Sequence, residues 1–261
     1  MLLESGRISE LVLLITLISV TYISIRQSLT GKTREIRKLA GIDAMTEAIG
    51  RSTELGRPLM MILRGNLDSD EGGPNAMAAY GVLGFIARQA AKHDLPLRIA
   101  TDQGSHIPLI TASLEEAYRL EERPDRIPTI PESIWYLSSH TLAFAGGAIA
   151  LLEEFKPGAN FIMGYVEGDA LILAESGVKI GAMQVAGTGV MGQVPFLAIV
   201  CDYTLIGEEF FAAGAYLAQD KYRIGALGGQ DYQKMIILAL YILAFVAISI
   251  GSKWLVNLLS M

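Results

Sequence analysis

The sequence predicts an α/β domain: a wound, Rossmann-like sheet of about five mostly parallel strands, flanked by an N-terminal and a C-terminal transmembrane helix. Three observations predict it. Short apolar runs alternate with longer helical patterns through the middle of the chain, and parallel strands need such covering crossovers. These runs are continuously apolar, as strands buried on both faces are. The surplus behind an apolar fraction of 51% and a mean hydropathy of +0.39 gathers at the two ends of the 261 residues.

At the first end, residues 11–25 (LVLLITLISVTYISI) carry no charge, and Glu10 is the only charge between Ile8 and Ile25. At the other end, residues 235–252 are uncharged, and the apolar run resumes after Lys253. A hydrocarbon core about 30 Å thick takes roughly 20 helical residues. Spans are therefore expected at 8–25 and 235–258. No A-x-A-like site follows the first, so it reads as a retained anchor rather than a cleaved signal.

Between the spans, a basic linker (26–40) leads into a domain expected over 41–232. GIDAMTEAIGRSTELGRP (41–58) reads as a helix with Ile42, Met45 and Ile49 on its apolar stripe, stopped by Gly56–Arg57–Pro58. Strand-like runs follow at 59–63, 95–101, 133–137, 160–166 and 179–186. Helical patterns lie between them at 74–94, 108–123, 140–155 and 169–177, and a Pro-rich connector carries Pro124, Pro128 and Pro131. Near the end of the domain, Glu208 and Glu209 open a further helix at its positive pole. Its Ala212, Ala213, Gly214, Ala215 and Ala218 permit close approach, either of another core helix or of a second subunit. Gly225, Gly228 and Gly229 read as a turn-rich linker into the second span.

Charge sets the expected orientation. Arg26, Lys32, Arg34, Arg37 and Lys38 face a single acid, Glu35, after the first span, and Lys221, Arg223 and Lys234 precede the second. Away from the domain the only basic residues are Arg7, before the first span, and Lys253, near the far end of the second. The positive-inside rule then places the domain in the cytoplasm, in a cell membrane. A net charge of −6 argues against nucleic acid as a partner. The single cysteine, Cys201, excludes an internal disulfide.

Ligands of open α/β sheets bind beyond the carboxyl ends of the strands. Those exits nominate Arg64, Asp102, His140, Glu167, Asp169, Gly187, Thr188 and Gly189 as candidate ligand-binding residues. If Asp102, His140, Glu167 and Asp169 converged, they would suit a hard cation or acid–base work. Capping and solvation are the plainer roles, with Asp169 as a helix N-cap. Gly187, Gly189 and Gly192 match G-x-G-x-x-G, but no helix and strand of adequate length is read between Pro195 and Glu208, and the fingerprint belongs on a first strand. An anion-accepting loop or close packing is expected instead. GKT at 31–33 resembles a P-loop ending, but Arg26 stands where the loop's first glycine belongs. His93, His106 and His140 lack metal-ligand spacing, so no metal site is assigned. Cys201 lies in an apolar run, where a buried thiol is expected. Asp43, Glu47 and Arg51 share a solvated helix face.

Three blocks, GIDAMTEAIGRSTELGRP, VAGTGVMGQVPF and DYTLIGEEFFAAGAYLAQD…GALGGQDYQK, resemble a prokaryotic family of membrane-anchored proteins catalogued only as a domain of unknown function. The resemblance covers residues 41–234 and implies a single anchored domain; it carries over no activity, cofactor or catalytic residue. The expected function is a membrane-tethered scaffold that self-associates in the lipid bilayer, or a module for a small anionic ligand. The alternative is an enzyme acting on a phosphorylated or membrane-proximal substrate at the strand exits. Transport would require polar groups along the spans.

Overall fold

The computed structural model describes residues 8–31 and 40–249. Arg7, Lys32, Thr33, Arg34, Glu35, Arg37, Lys38 and Lys253, with residues 250–258 of the expected second span, lie outside the described residues. The chain divides into two compact units, Ile36–Ala218 and the two chain ends together, Met1–Glu35 with Gln219–Met261.

The central unit begins with α2 (Ala40–Leu55) and β1 (Leu59–Arg64), followed by α3 (Gly72–Lys92) and β2 (Leu97–Thr101). Then come α4 (His106–Leu120), a 3-10 run over Pro124–Ser133, β3 (Ile134–Tyr136), α5 (Thr141–Phe155), β4 (Ala159–Gly164) and α6 (Ala170–Lys179). It closes with β5 (Met183–Thr188), α7 (Val194–Val200), β6 (Tyr203–Ile206) and α8 (Glu208–Leu217). The sheet is all-parallel and has six strands rather than five, in the order β3-β2-β1-β4-β5-β6. That is the doubly wound order of dinucleotide-binding sheets, with the direction of winding reversing between β1 and β4.

The sequence reading lacked β6. It has only four residues, follows a seven-residue helix and sits at an edge, so its half-buried pattern is weak. β1, β4 and β5 are buried at every position. Their alternate side chains enter two cores. Met61, Leu63, Phe161, Met163 and Val185 pack under α2, α3, α4 and α8, while Met60, Ile62, Ile162 and Ala186 pack under α5, α6 and α7. Each large apolar side chain so buried contributes about 1.5–3 kcal/mol.

α3 and α8 meet backbone to backbone. A Cβ on Gly81 would collide with the carbonyl of Gly214, and one on Gly214 would lie 2.5 Å from the carbonyl of Ala78. The small residues of α8 thus serve packing within the chain.

In the other unit, α1 (Ile8–Leu29) and α9 (Lys221–Ser249) pair antiparallel, and both are long and apolar enough to cross a membrane. Ser24 and Ser28 donate to the carbonyls of Gly225 (2.7 Å) and Lys221 (2.8 Å), and Gln233 Nε2 donates to Leu17 O (3.0 Å) and Thr21 Oγ1 (2.6 Å). Gly225, Gly228 and Gly229 are not a turn. They lie inside α9, where Gly225 and Gly229 form a G-x-x-x-G seam against Ile25 and Thr21. Small residues let two backbones approach, and hydroxyl and amide side chains bond across, the pairing used by helices in lipid.

Candidate functional site: the β1/β4 switch point

β1 and β4 part at their carboxyl ends, where Arg64 and Gly164 are register partners. Gly164 has φ +114°, and a Cβ there would strike the Arg64 carbonyl, so a side chain is excluded. That carbonyl accepts the amide of Tyr165 at 3.0 Å.

The Arg64 side chain is only 3% exposed. Its Nε donates to Asp102 Oδ2 at 3.3 Å, and its Nη1 meets both carboxylate oxygens of Asp169 at 2.5 Å. Its guanidinium lies 4.9 Å from the centre of the Phe144 ring. Asp102, just past β2, also accepts the Gly65 amide at 3.4 Å. Asp169 stands at the start of α6, but its side chain makes no capping bond. Asp169 does occupy the expected N-cap position, but its carboxylate serves the buried guanidinium, a charge-assisted bond stronger than one to a helix amide. Burial pushes the Asp169 carboxyl above its ordinary range, and the Arg64 charge opposes the shift.

His106, the first residue of α4, is fully buried. Its Nε2 lies 2.7 Å from the Gly65 carbonyl, which only accepts, so Nε2 carries the hydrogen. Nδ1 then accepts the Thr101 hydroxyl at 2.7 Å. Burial holds the imidazole pKa below its usual value, against the raising pull of the Asp102 charge and the Gly65 bond. The Tyr80 ring meets the imidazole edge-on at 5.8 Å, and its buried hydroxyl has no hydrogen-bond partner among the described residues. Burial and the nearby Asp102 push that phenol upward.

The four residues nominated for a cation do not converge. Asp102 and Asp169 flank Arg64, whereas His140 and Glu167 are exposed at the rim. There Glu167 accepts from the Thr141 hydroxyl at 2.9 Å, and the His140 amide donates to Ser138 Oγ at 3.0 Å. Among the described residues no three His, Cys, Asp or Glu side chains stand together as a metal site. Gly187 lies inside β5 beneath Phe210, where a Cβ would come within 2.5 Å of the ring. The Thr188 hydroxyl accepts the Val190 amide at 3.1 Å, and the Gly189 amide donates to Asn75 Oδ1 at 2.7 Å.

The amides that open α3, where a doubly wound sheet would hold phosphate, are committed. Ser69 takes the Gly72 amide with its hydroxyl and the Gly73 amide with its carbonyl, both at 2.9 Å. Asp68, Asp70 and Glu71 line the same loop and repel anions. A helix and a strand do follow the G-x-G-x-x-G glycines, but both are short, seven and four residues. α7 is one short helix with Pro195 in its first turn, and the central glycine's amide is held by Asn75. Cys201 is buried, and its thiol is pushed up to about 12.

The model of one family, described as a domain of unknown function, DUF6754, matches residues 1–259. The chain belongs to DUF6754. No curated protein and no solved structure matches it.

Sequence reasoning had singled out three of the residues that meet in this DUF6754 chain: Arg64, Asp102 and Asp169. It missed Asn75, Tyr80 and Thr101, and set His106 aside for want of metal spacing. A polar signal was present: Thr101 closes β2 and His106 opens α4, bracketing the exit of that strand.

Proposed function

We propose that this protein is a membrane-tethered α/β scaffold that self-associates, with α1 and α9 as anchors and the central domain on the cytoplasmic side. One observation carries the preference for a scaffold over an anion-binding module: the buried cation at the switch point is already neutralised. Arg64 spends its charge on Asp102 and Asp169, and a site holding two carboxylates around one guanidinium does not attract a further anion. The polar bonds between Ser24, Ser28, Gln233 and the opposite helix support the anchoring, as does the length of both helices.

A second reading, ligand binding or catalysis at the crevice, is favoured by Tyr80, whose buried hydroxyl stands beside Asp102 and the neutral His106 without a partner. Native mass spectrometry of the detergent-solubilised full chain, with thermal melts in inorganic phosphate, separates the readings. The scaffold predicts a multimer and a melting temperature that phosphate does not raise. A monomer, or a rise in melting temperature that Tyr80→Phe abolishes, favours the crevice.

A further inference from the structure

The helices on the two sides of the sheet present different surfaces. Along α3 and α4 ion pairs cover the outside, Arg88 with Glu121 and Arg119 with Glu115. On the opposite side α6 packs between α5 and α7, and the outside of this layer is largely apolar. α7 exposes four of its seven residues, Pro195, Phe196, Ala198 and Ile199, and Ile199 is 82% exposed. α5 carries no charge from Thr141 to Leu152. Its exposed Leu142, Gly146 and Ala150 follow one another every four residues, along one stripe of the helix. A Cβ on Gly146 would meet nothing, so the stripe is open to the outside.

In the middle of this surface, α6 exposes Ile172, Glu175 and Lys179. Glu175 and Lys179 stand one turn apart, and among the described residues neither side chain makes an ion pair. An acid and a base so placed decide how two copies can meet here. With the two α6 helices parallel, Glu175 faces Glu175 and Lys179 faces Lys179, and like charges repel. Turned antiparallel about a two-fold axis, Glu175 of one copy meets Lys179 of the other, twice by symmetry. The same axis sets α7 against α7 and α5 against α5, apolar surface on apolar surface. The three helices cover roughly 500 Å² in projection. That is less than the about 800 Å² per partner of a free-standing complex, but copies tethered in one membrane meet at a raised effective concentration.

We infer that two copies of this chain associate through the face formed by α5, α6 and α7, antiparallel across α6, with Glu175 of each copy against Lys179 of the other. This inference rests on the self-associating reading above and names its surface.

Native mass spectrometry of the detergent-solubilised full chain reads the subunit number, and thermal melts check that each variant folds. Ile199→Asp is expected to weaken association about tenfold or more, because it buries an unpaired charge in the contact. Leu120→Asp, on α4 across the sheet and at a position 58% exposed, leaves association unchanged. Glu175→Lys and Lys179→Glu singly are expected to weaken it similarly by setting like charges opposite, and together to restore it, since the pair is only exchanged. A multimer indifferent to Ile199→Asp and to both single reversals overturns the surface. A double reversal that stays dissociated overturns the antiparallel pairing, whereas a monomeric wild type overturns the parent reading instead. Lipid is the other possible cover. The full chain carrying Cys201→Ala and Ile199→Cys is placed in proteoliposomes with a charged maleimide on both sides of the membrane. Protection of position 199 is expected only where several copies share a vesicle. Protection that persists at one copy per vesicle assigns the face to lipid and overturns the contact.

Discussion

His106 holds three segments with one ring: it accepts from Thr101 at the end of β2, donates to Gly65 beyond β1 and opens α4. Its depressed pKa means that the folded state binds fewer protons there than the unfolded state does. Its contribution is therefore present above the ordinary imidazole range near 6.5 and is lost as pH falls below it. Asp169 has the opposite sign: a raised carboxyl pKa favours folding as pH falls toward it. His106→Leu is expected to cost about 1–3 kcal/mol at neutral pH, since Thr101 and the Gly65 carbonyl lose a buried partner. It is also expected to flatten the acid limb of stability below about pH 6.5. Urea denaturation across that range checks both, and an unchanged acid limb contradicts the assignment. At this scale the sequence revealed which residues sit at strand exits but not which of them bond. His106 reaches a backbone carbonyl 41 residues away in the chain, and no spacing pattern encodes a carbonyl. Asp169 was legible as a helix start, but the buried guanidinium that takes its side chain was brought there by folding.

Elements were read best where the chain repeats its own signal. The strands that cross the core are buried on both faces, so β1, β2 and β4 show as mostly apolar text, broken by Arg98 in β2 and Asn160 in β4, and were read to within two residues of their ends. β6 and α7 fell below that threshold because an edge strand of four residues needs little apolar material. Gly225 and Gly229 misled for a different reason. Glycine favours turns in water, yet the same residue in a helix permits a close helix pair, and only the partner α1 decides between them. The contact of α3 with α8 obeys the same rule inside the domain. Gly214→Val places a branched side chain against the Ala78 carbonyl, where Cβ alone has 2.5 Å. Overpacking of this kind costs about 1–3 kcal/mol, and more where backbone rather than side chain must yield. Gly84, on the same helix as Gly81 but with open space at its Cβ position, is the control. Gly84→Ala is expected to leave the chemical-denaturation midpoint unchanged or raised, whereas Gly214→Val lowers it. Equal midpoints for the two would show that the helices are not in close contact.

Over the whole molecule, the central unit closes its own core. Both faces of its sheet are covered by helices drawn from within Ile36–Ala218, and its largest buried side chains, among them Phe144, Phe161 and Phe210, come from that stretch alone. The apolar helices at the two ends belong to a separate unit with its own bonds. A domain of this size buries about 70% of the surface its unfolded chain exposes, enough for independent stability. The fragment 36–218 is therefore expected to fold without either anchor, to unfold in one cooperative transition and to match the full chain's melting temperature within a few degrees. Circular dichroism melts of fragment and full chain check this. Because the Arg64, Asp102 and Asp169 cluster lies wholly inside the fragment, Arg64→Met should lower the melting temperature equally in both, leaving two buried carboxylates without their cation at a cost of about 3–5 kcal/mol. A loss confined to the full chain would mean that the cluster senses the anchors, and the division of the chain into an autonomous body and a separate hairpin would fail.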